Sequence, residues 1–431
     1  MMRRVAVSLA FALVAAGLGG AGAENVAVAQ IPPRATTVLA LLEAYNGSRF
    51  VWLDPATLSP LARGSVALPG GAWDPVFSPA GRYVALGGPG SVGIRIVDLR
   101  RMKLVAHVAR RSSYRRVTPL AWPERRRLLA LDYPQNAQGS PEALVAIDPV
   151  ARRVVARTAR ASTGKAWTEW APAGRELVLL SQMTEGMGPA RVVVFGPAGG
   201  ILKATDVGVV AGFLSDGPPW ARIADPGLAV DSVNRRAFIV DSQTLAQVDL
   251  DTLDISYARL TESRSLLSRL LSWLDPAAQA KLVAGFSRQV TWLGDDLLAV
   301  SGATYEGARS TPAGLQIVDT QTGVVRTLEP RASAHRFSQG LLLAFGAGRD
   351  GATNVESGMG LAAFRPEGGR LWSALGDEPV WVVETAGGYA FVPTPEESFP
   401  QGVRVIDLAT GTVIRTVRGE LPTVVGRNAG P

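Results

Sequence analysis

Cysteine is absent from the 431 residues, histidine occurs twice and lysine four times. The missing thiols exclude disulfides, thiolate catalysis, iron–sulfur clusters and a lipid-modified cysteine. Stability must therefore come from packing and strand pairing. The two histidines, His107 and His335, are too few for a histidine-rich metal site. A serine–histidine triad is poorly supported for the same reason, because His107 falls in an outermost strand and His335 in an innermost one. No Gly-x-x-x-x-Gly-Lys loop is present, and no apolar run reaches the length of a bilayer span. The scarcity of lysine means that forty of the 44 basic residues are arginine. A GC-rich genome produces that bias by itself, so the net charge of +7 says little about ligands.

What is present begins with a processing segment. Arg3 and Arg4 precede an uncharged apolar run, Val5 to Leu18, followed by Ala21-Gly22-Ala23. This is the layout of a cleaved export signal over residues 1–23, with cleavage after Ala29 as the alternative. Loss of Arg3 and Arg4 takes the charge from +7 to +5. The expected location is outside the cytoplasm: periplasmic, cell-surface or extracellular.

The rest of the chain repeats. Residues 73–109 hold four short apolar or alternating runs separated by turns, the pattern of a four-stranded antiparallel meander. A bulky residue ends the first run and a turn residue follows four positions later: Phe77 with Gly81, Trp170 with Gly174, Val230 with Asn234, Val383 with Gly387. Gly and Asn tolerate the positive φ of such a turn. Trp122, Trp292 and Phe337 start units with shorter turns. The seven bulky positions lie 45, 48, 60, 62, 45 and 46 residues apart.

A second motif is an alternating run that ends in aspartate, at Asp54, Asp98, Asp148, Asp249, Asp319 and Asp407. An aspartate there can accept backbone N–H bonds and fix the turn that follows. Once-per-unit recurrence favours that role over a metal or catalytic carboxylate set. Asp249, Asp251 and Asp254 lack the glycine and the distal glutamate of a calcium loop, and no metal or other cofactor is expected.

These spacings, with four strands each, are the signature of propeller blades. Phe77-Ser78-Pro79-Ala80-Gly81-Arg82 and Trp170-Ala171-Pro172-Ala173-Gly174-Arg175 resemble the "SPDG" turn of bacterial WD40-like propellers. Val318-Asp319-Thr320-Gln321-Thr322-Gly323 and Ile406-Asp407-Leu408-Ala409-Thr410-Gly411 resemble the "VDTxTG" of YVTN-type surface propellers. The resemblance implies an all-β fold, a β-propeller of four-stranded blades over residues 36–426, and it is nearly silent on activity. Seven units lie between Trp73 and Gly419. Strands near residues 37–68 lack an innermost partner, and 421–426 is a short apolar strand without a blade. Pairing these two pieces gives eight blades and leaves no open edge, with seven as the alternative. One insertion interrupts the pattern: residues 260–286, with leucines at helical spacing from Leu266 to Leu274, read as a helical hairpin.

Antiparallel alternation puts the short turns at one end of every blade and the long loops at the other. Function on a rigid scaffold tends to sit on the elaborated loops. The candidate contacts there are Tyr133, Tyr305, Glu306, Arg309, Arg349 and Asp350. A basic run, Arg100 to Arg127, holds ten Lys/Arg against Glu124 alone. Within it Arg110, Arg111, Arg115 and Arg116, placed on the connection after the first complete blade, are candidates for a polyanion. The expected function is a monomeric, exported binding or scaffold module for an extracytoplasmic protein or anionic polymer, not nucleic acid. A hydrolase or lactonase-like propeller with a divalent cation in its channel is the alternative, and a peripheral membrane contact through 260–286 a third reading.

Overall fold

The computed structural model describes residues 37–44, 47–69, 72–87, 93–108, 115–134, 143–159, 169–182, 186–213, 223–262, 285–306, 309–349, 356–395, 402–418 and 423–424. Every regular element among them is a β-strand. In the sheet of residues 73–108, the strands Trp73–Phe77, Tyr83–Gly87, Ile94–Asp98 and Lys103–Val108 pair in chain order. Residues 115–159, 227–259 and 384–418 form sheets of the same order. Residues 169–213, 285–329 and 334–374 repeat the meander, joined by extra pairings into a fifteen-stranded sheet. The remaining sheet combines Val38–Ala44, Gly47–Leu53 and Pro60–Pro69 with Thr423–Val424, which pairs with the first of these at Ala40↔Val424 and Leu41↔Thr423.

Middle strands such as Ala143–Asp148 and Gly402–Asp407 are buried at every position. A strand buried on both faces needs apolar residues without alternation, because each sheet is covered by another on either side. Phe50 and Leu86 share a core between residues 38–69 and 73–108, and Ile96 and Leu128 share the next. The series continues sheet by sheet to residues 384–418. There Phe391 and Val405 pack on Val38 and Val51.

The turns form largely as the sequence predicts. Gly81, Gly174 and Gly387 have φ of 68°, 65° and 60°. In the fourth case the left-handed residue is Arg235 (φ 53°), not Asn234. Asn234 instead donates its side-chain amide to Asp231 at 2.8 Å, so the turn is held by a side chain and arginine takes the strained place. All six repeated aspartates accept the backbone N–H two residues on at 2.7–3.0 Å. Five also accept the N–H three residues on, at 2.8–3.2 Å. In two sheets the second carboxylate oxygen takes an arginine from the first turn, Arg82 to Asp98 at 2.8 Å and Arg126 to Asp148 at 2.9 Å. Burial opposes the Asp98 charge, but Arg82 and the amides of Arg100 and Arg101 overcome it and hold the carboxyl below its usual range. Ion pairs also tie the turns of successive sheets: Glu124 to Arg175, Glu176 to Arg235 at 2.7 Å, and Arg236 to Asp296 at 2.8 Å.

The hairpin expected over 260–286 is not a helical pair at its edges. Thr261–Glu262 is a strand parallel to Val324–Glu329, and Gly285 opens the strand Gly285–Gly294. Residues 263–284, which carry the leucines at helical spacing, lie outside the described residues.

Asp98→Ala should lower stability by about 1–2 kcal/mol, because two amides and Arg82 lose their acceptor. Asp98→Asn should recover part of the loss, since its amide oxygen still accepts the N–H bonds. Urea denaturation measures both. The lowered pKa makes this contribution full at neutral pH and lost as pH falls through the folded value.

Candidate functional site

At the long-loop end, the strands Gly285–Gly294 and Leu297–Glu306 run ten residues each. Those of the neighbouring sheet, Gly227–Asp231 and Arg236–Val240, run five. The long pair overshoots, and its backbone groups find partners above the short sheet. Ile223–Asp225 bridges to Ile201–Phe213 on one side and, in parallel, to Gly285–Gly294 on the other. Arg309–Pro312 pairs with Leu297–Glu306 and touches Leu341–Arg349 at Ser310↔Arg349. The result is a continuous β-rim. Its tightest point needs glycine: a Cβ on Gly302 (φ +152°) would stand 2.0 Å from the Ser287 carbonyl oxygen.

Four of the candidate contacts meet on this rim. Tyr305 lies opposite Gly285 on one side and Ser310 on the other, and Glu306 lies opposite Arg309. Ser310 Oγ accepts the Arg349 N–H at 3.1 Å, and Arg349 lies opposite Glu356. Glu306 and Arg309 are exposed. Tyr305 turns inward, its hydroxyl 3.0 Å from Ser287 Oγ, and burial raises its pKa. Tyr133 belongs to a different sheet, opposite Arg116. Arg115 and Arg116 are not on a connection, as their position in the basic run suggests, but in the strand Arg115–Glu124, drawn in by pairing with Tyr133 and Pro134. Arg110, Arg111 and Asp350 lie outside the described residues.

Below the rim are charged groups that motif reasoning misses. Asp225 pairs with Ser287 across the bridging strand. Its carboxyl is pushed up to about 7 by burial. Glu169, at the start of Glu169–Ala173, is pushed up to about 8 by burial and then by the charge of Asp225. Both keep part of their surface open. Arg288 donates to the carbonyls of Ser287 and Ala303 at 2.9 and 3.0 Å, and burial lowers its pKa. Two carboxyls held protonated near neutrality can donate hydrogen bonds, or release protons to a cation. The signal that could have found them is a charge on a strand next to the axis: Glu169 directly precedes Trp170, one of the repeat's marker residues. Asp225-Pro226-Gly227 reads instead as a turn.

His335 is buried in the interface between residues 285–329 and 334–374. Its Nδ1 lies 2.8 Å from Ser301 Oγ, its Nε2 2.9 Å from Thr291 Oγ1, and its backbone N–H donates to Gln289 Oε1 at 3.1 Å. Burial lowers its pKa to about 4, so it is a neutral cross-link. His107 is in the separate strand Lys103–Val108, where its Nε2 accepts the Gly93 N–H at 3.3 Å. Among the described residues no three His, Cys, Asp or Glu side chains gather as a metal site. A cavity of about 310 Å³ lies beside Glu329, Arg331, Arg370 and Asp377, but these charges are paired with one another.

No family model and no curated protein matches the sequence. Among solved structures the chain is similar to dihydro-heme d1 dehydrogenase NirN in complex with DHE. The TM-score is 0.56 at 14% identity, over 94% of this chain and 77% of that one. It is also similar to apo AztD from Citrobacter koseri, with a TM-score of 0.53 at 10% identity over 90% and 97%. Both neighbours are β-propellers, and with the repeated four-stranded sheets they show a β-propeller fold here.

The raised carboxyls and the lowered histidine act on stability with opposite signs. The folded protein keeps protons on Glu169 and Asp225 that the unfolded chain, with values of 4.5 and 3.8, has released. Their contribution is full at low pH and lost as pH rises to about 8. Glu169→Gln with Asp225→Asn should therefore raise the melting temperature at pH 8 and change it little at pH 4, with a slope of at most about 1.4 kcal/mol per pH unit per group. His335→Leu should cost about 2–4 kcal/mol at pH 7 in urea denaturation, because two buried hydroxyls lose their partner.

Proposed function

We propose that the chain is an exported, eight-bladed propeller, closed by pairing of its two ends, that binds an extracytoplasmic protein or anionic polymer at its long-loop end. It acts as a monomeric, non-enzymatic module without a resident cofactor. The observation that carries this reading is the rim. Tyr305, Glu306 and Arg309 share one hairpin, and Arg349 joins them from a strand forty residues on through Ser310, on strands that project beyond the adjacent sheet. The exposed, oppositely charged Glu306 and Arg309, with the half-buried Arg349 beside them on a rigid ladder, suit recognition of a polar surface. Closure is supported by the Thr423–Val424 pairing and by the Phe391–Val38 core. Export rests on the 1–23 segment.

A second reading has its own observation. Glu169 and Asp225 make no hydrogen bond or ion pair among the described residues, and their charges oppose each other. A divalent cation would relieve that opposition, and a hydrolytic enzyme could use it.

A photo-crosslinking residue at position 309 should trap a discrete partner in the producing cells, and Glu306→Ala with Arg349→Ala should abolish the adduct. The same residue at position 233, on the short-turn end, should not trap it. Identical patterns at both positions would remove the rim as the binding surface. Elemental analysis of the purified protein decides the second reading. A stoichiometric cation that disappears in Glu169→Gln/Asp225→Asn would establish it over the first.

A further inference from the structure

The opposite end of the sheets, where the short turns lie, carries a separate feature. Three turn regions of two adjacent sheets, residues 98–103, 124–127 and 148–153, bring together eight cations and three carboxylates. The carboxylates are occupied: Asp98 by Arg82, Asp148 by Arg126, and Glu124 by Arg175. Arg100, Arg101, Lys103, Arg125 and Arg153 are exposed, and none makes an ion pair with a described residue. Hydrogen bonds join the three regions into one patch. Arg126 spans from its turn to Asp148, and Arg152 crosses between sheets to donate to the Val105 carbonyl at 3.0 Å.

Composition does not explain this patch. Two sheets further on, the turns at 231–236, 249–254, 295–296 and 319–322 carry seven aspartates against Arg235 and Arg236. The same arginine-rich chain thus gives one end of the molecule a basic sector and an acidic one. The basic sector also has an apolar tip. Val150, between Asp148 and Arg152, is 57% exposed; Val233 projects likewise from the acidic sector, so only the basic sector combines an exposed valine with an excess of cations. A soluble polyanion gains nothing from a projecting valine, whereas the interface of a bilayer does.

We infer that the short-turn end of residues 73–159 docks on a membrane surface containing anionic phospholipid, with Val150 entering the headgroup region and Arg100, Arg101, Arg125 and Arg153 facing the phosphates. Docking breaks no ion pair among the described residues, since these four make none there. Each basic residue near such a surface contributes attraction that fades within a Debye length of about 8–10 Å. The acidic sector is repelled, so contact is made on one side of this end and the rim at the other end faces away. The inference is independent of whether the rim binds a partner.

Vesicle sedimentation of the full processed chain tests it. The protein should pellet with phosphatidylcholine vesicles containing about 30% phosphatidylglycerol at about 50 mM salt, not with pure phosphatidylcholine, and should be released near 500 mM. Arg101→Glu/Arg125→Glu/Arg153→Glu should weaken binding roughly 100-fold or more. Val150→Ser, which leaves the charge unchanged, should weaken it by about 3- to 10-fold. Arg415→Glu, exposed in the strand Val413–Arg418 away from both surfaces, should have little effect. Equal binding to neutral vesicles overturns the proposal, as does an unaltered triple variant. So does tighter binding of inorganic polyphosphate that is indifferent to Val150→Ser, which would mark a soluble-polyanion site. Should the triple variant fail to fold by circular dichroism, Val150→Ser and the single Arg125→Gln carry the same test.

Discussion

Burial of both faces of every sheet is the constraint from which the rest follows. A sheet flanked on two sides must be apolar on both, so its middle strands lose the polar alternation of a half-exposed strand. Leu129 and Leu144 face one neighbour while Leu128 and Val145 face the other. With no cysteine to help, each sheet is held by the pair it lies between. Of the polar groups that survive inside, His335 is held by Ser301, Thr291 and Gln289, whereas Ser181 Oγ and Thr320 Oγ1 have no hydrogen-bond partner among the described residues.

The same constraint sorts chemistry to the two ends. Strand interiors are committed to packing, so charge collects at turns and loops. At the short-turn end it is structural wherever an aspartate closes a turn and an arginine closes on the aspartate. At the other end strand lengths differ, and overshooting backbone must find partners outside its own meander. Ile223–Asp225 and Arg309–Pro312 supply them. That need, rather than any single side chain, gathers Tyr305, Glu306, Arg309 and Arg349 into one place.

Local physics was legible in the sequence, and spatial juxtaposition was not. The aspartate turns could be read because the carboxylate and its amides are two and three residues apart. The unit repeat could be read because each meander is contiguous. Asn234 misled because asparagine tolerates positive φ, yet here its amide serves Asp231 better as a donor. The coupling of Glu169 to Asp225 joins the first strand of a meander to the bridging strand beyond its last, and leaves no periodic trace. The basic run of residues 100–127 looked like one feature, but it crosses from one end of the molecule to the other. Arg101 and Arg125 share the short-turn end, whereas Arg115 and Arg116 sit at the beginning of a strand that runs towards it.

The pairing of Thr423–Val424 with Val38–Ala44 bears on how the chain is made. Val38 to Pro69 leave the ribosome about 350 residues before the strand that completes their sheet. Bringing the two together closes a loop of about 380 residues, for a reward of two ladder positions. Until residues 423–424 emerge, the early strand Val38–Ala44 presents an unpaired edge, and any factor that shields nascent β-edges has a long task there.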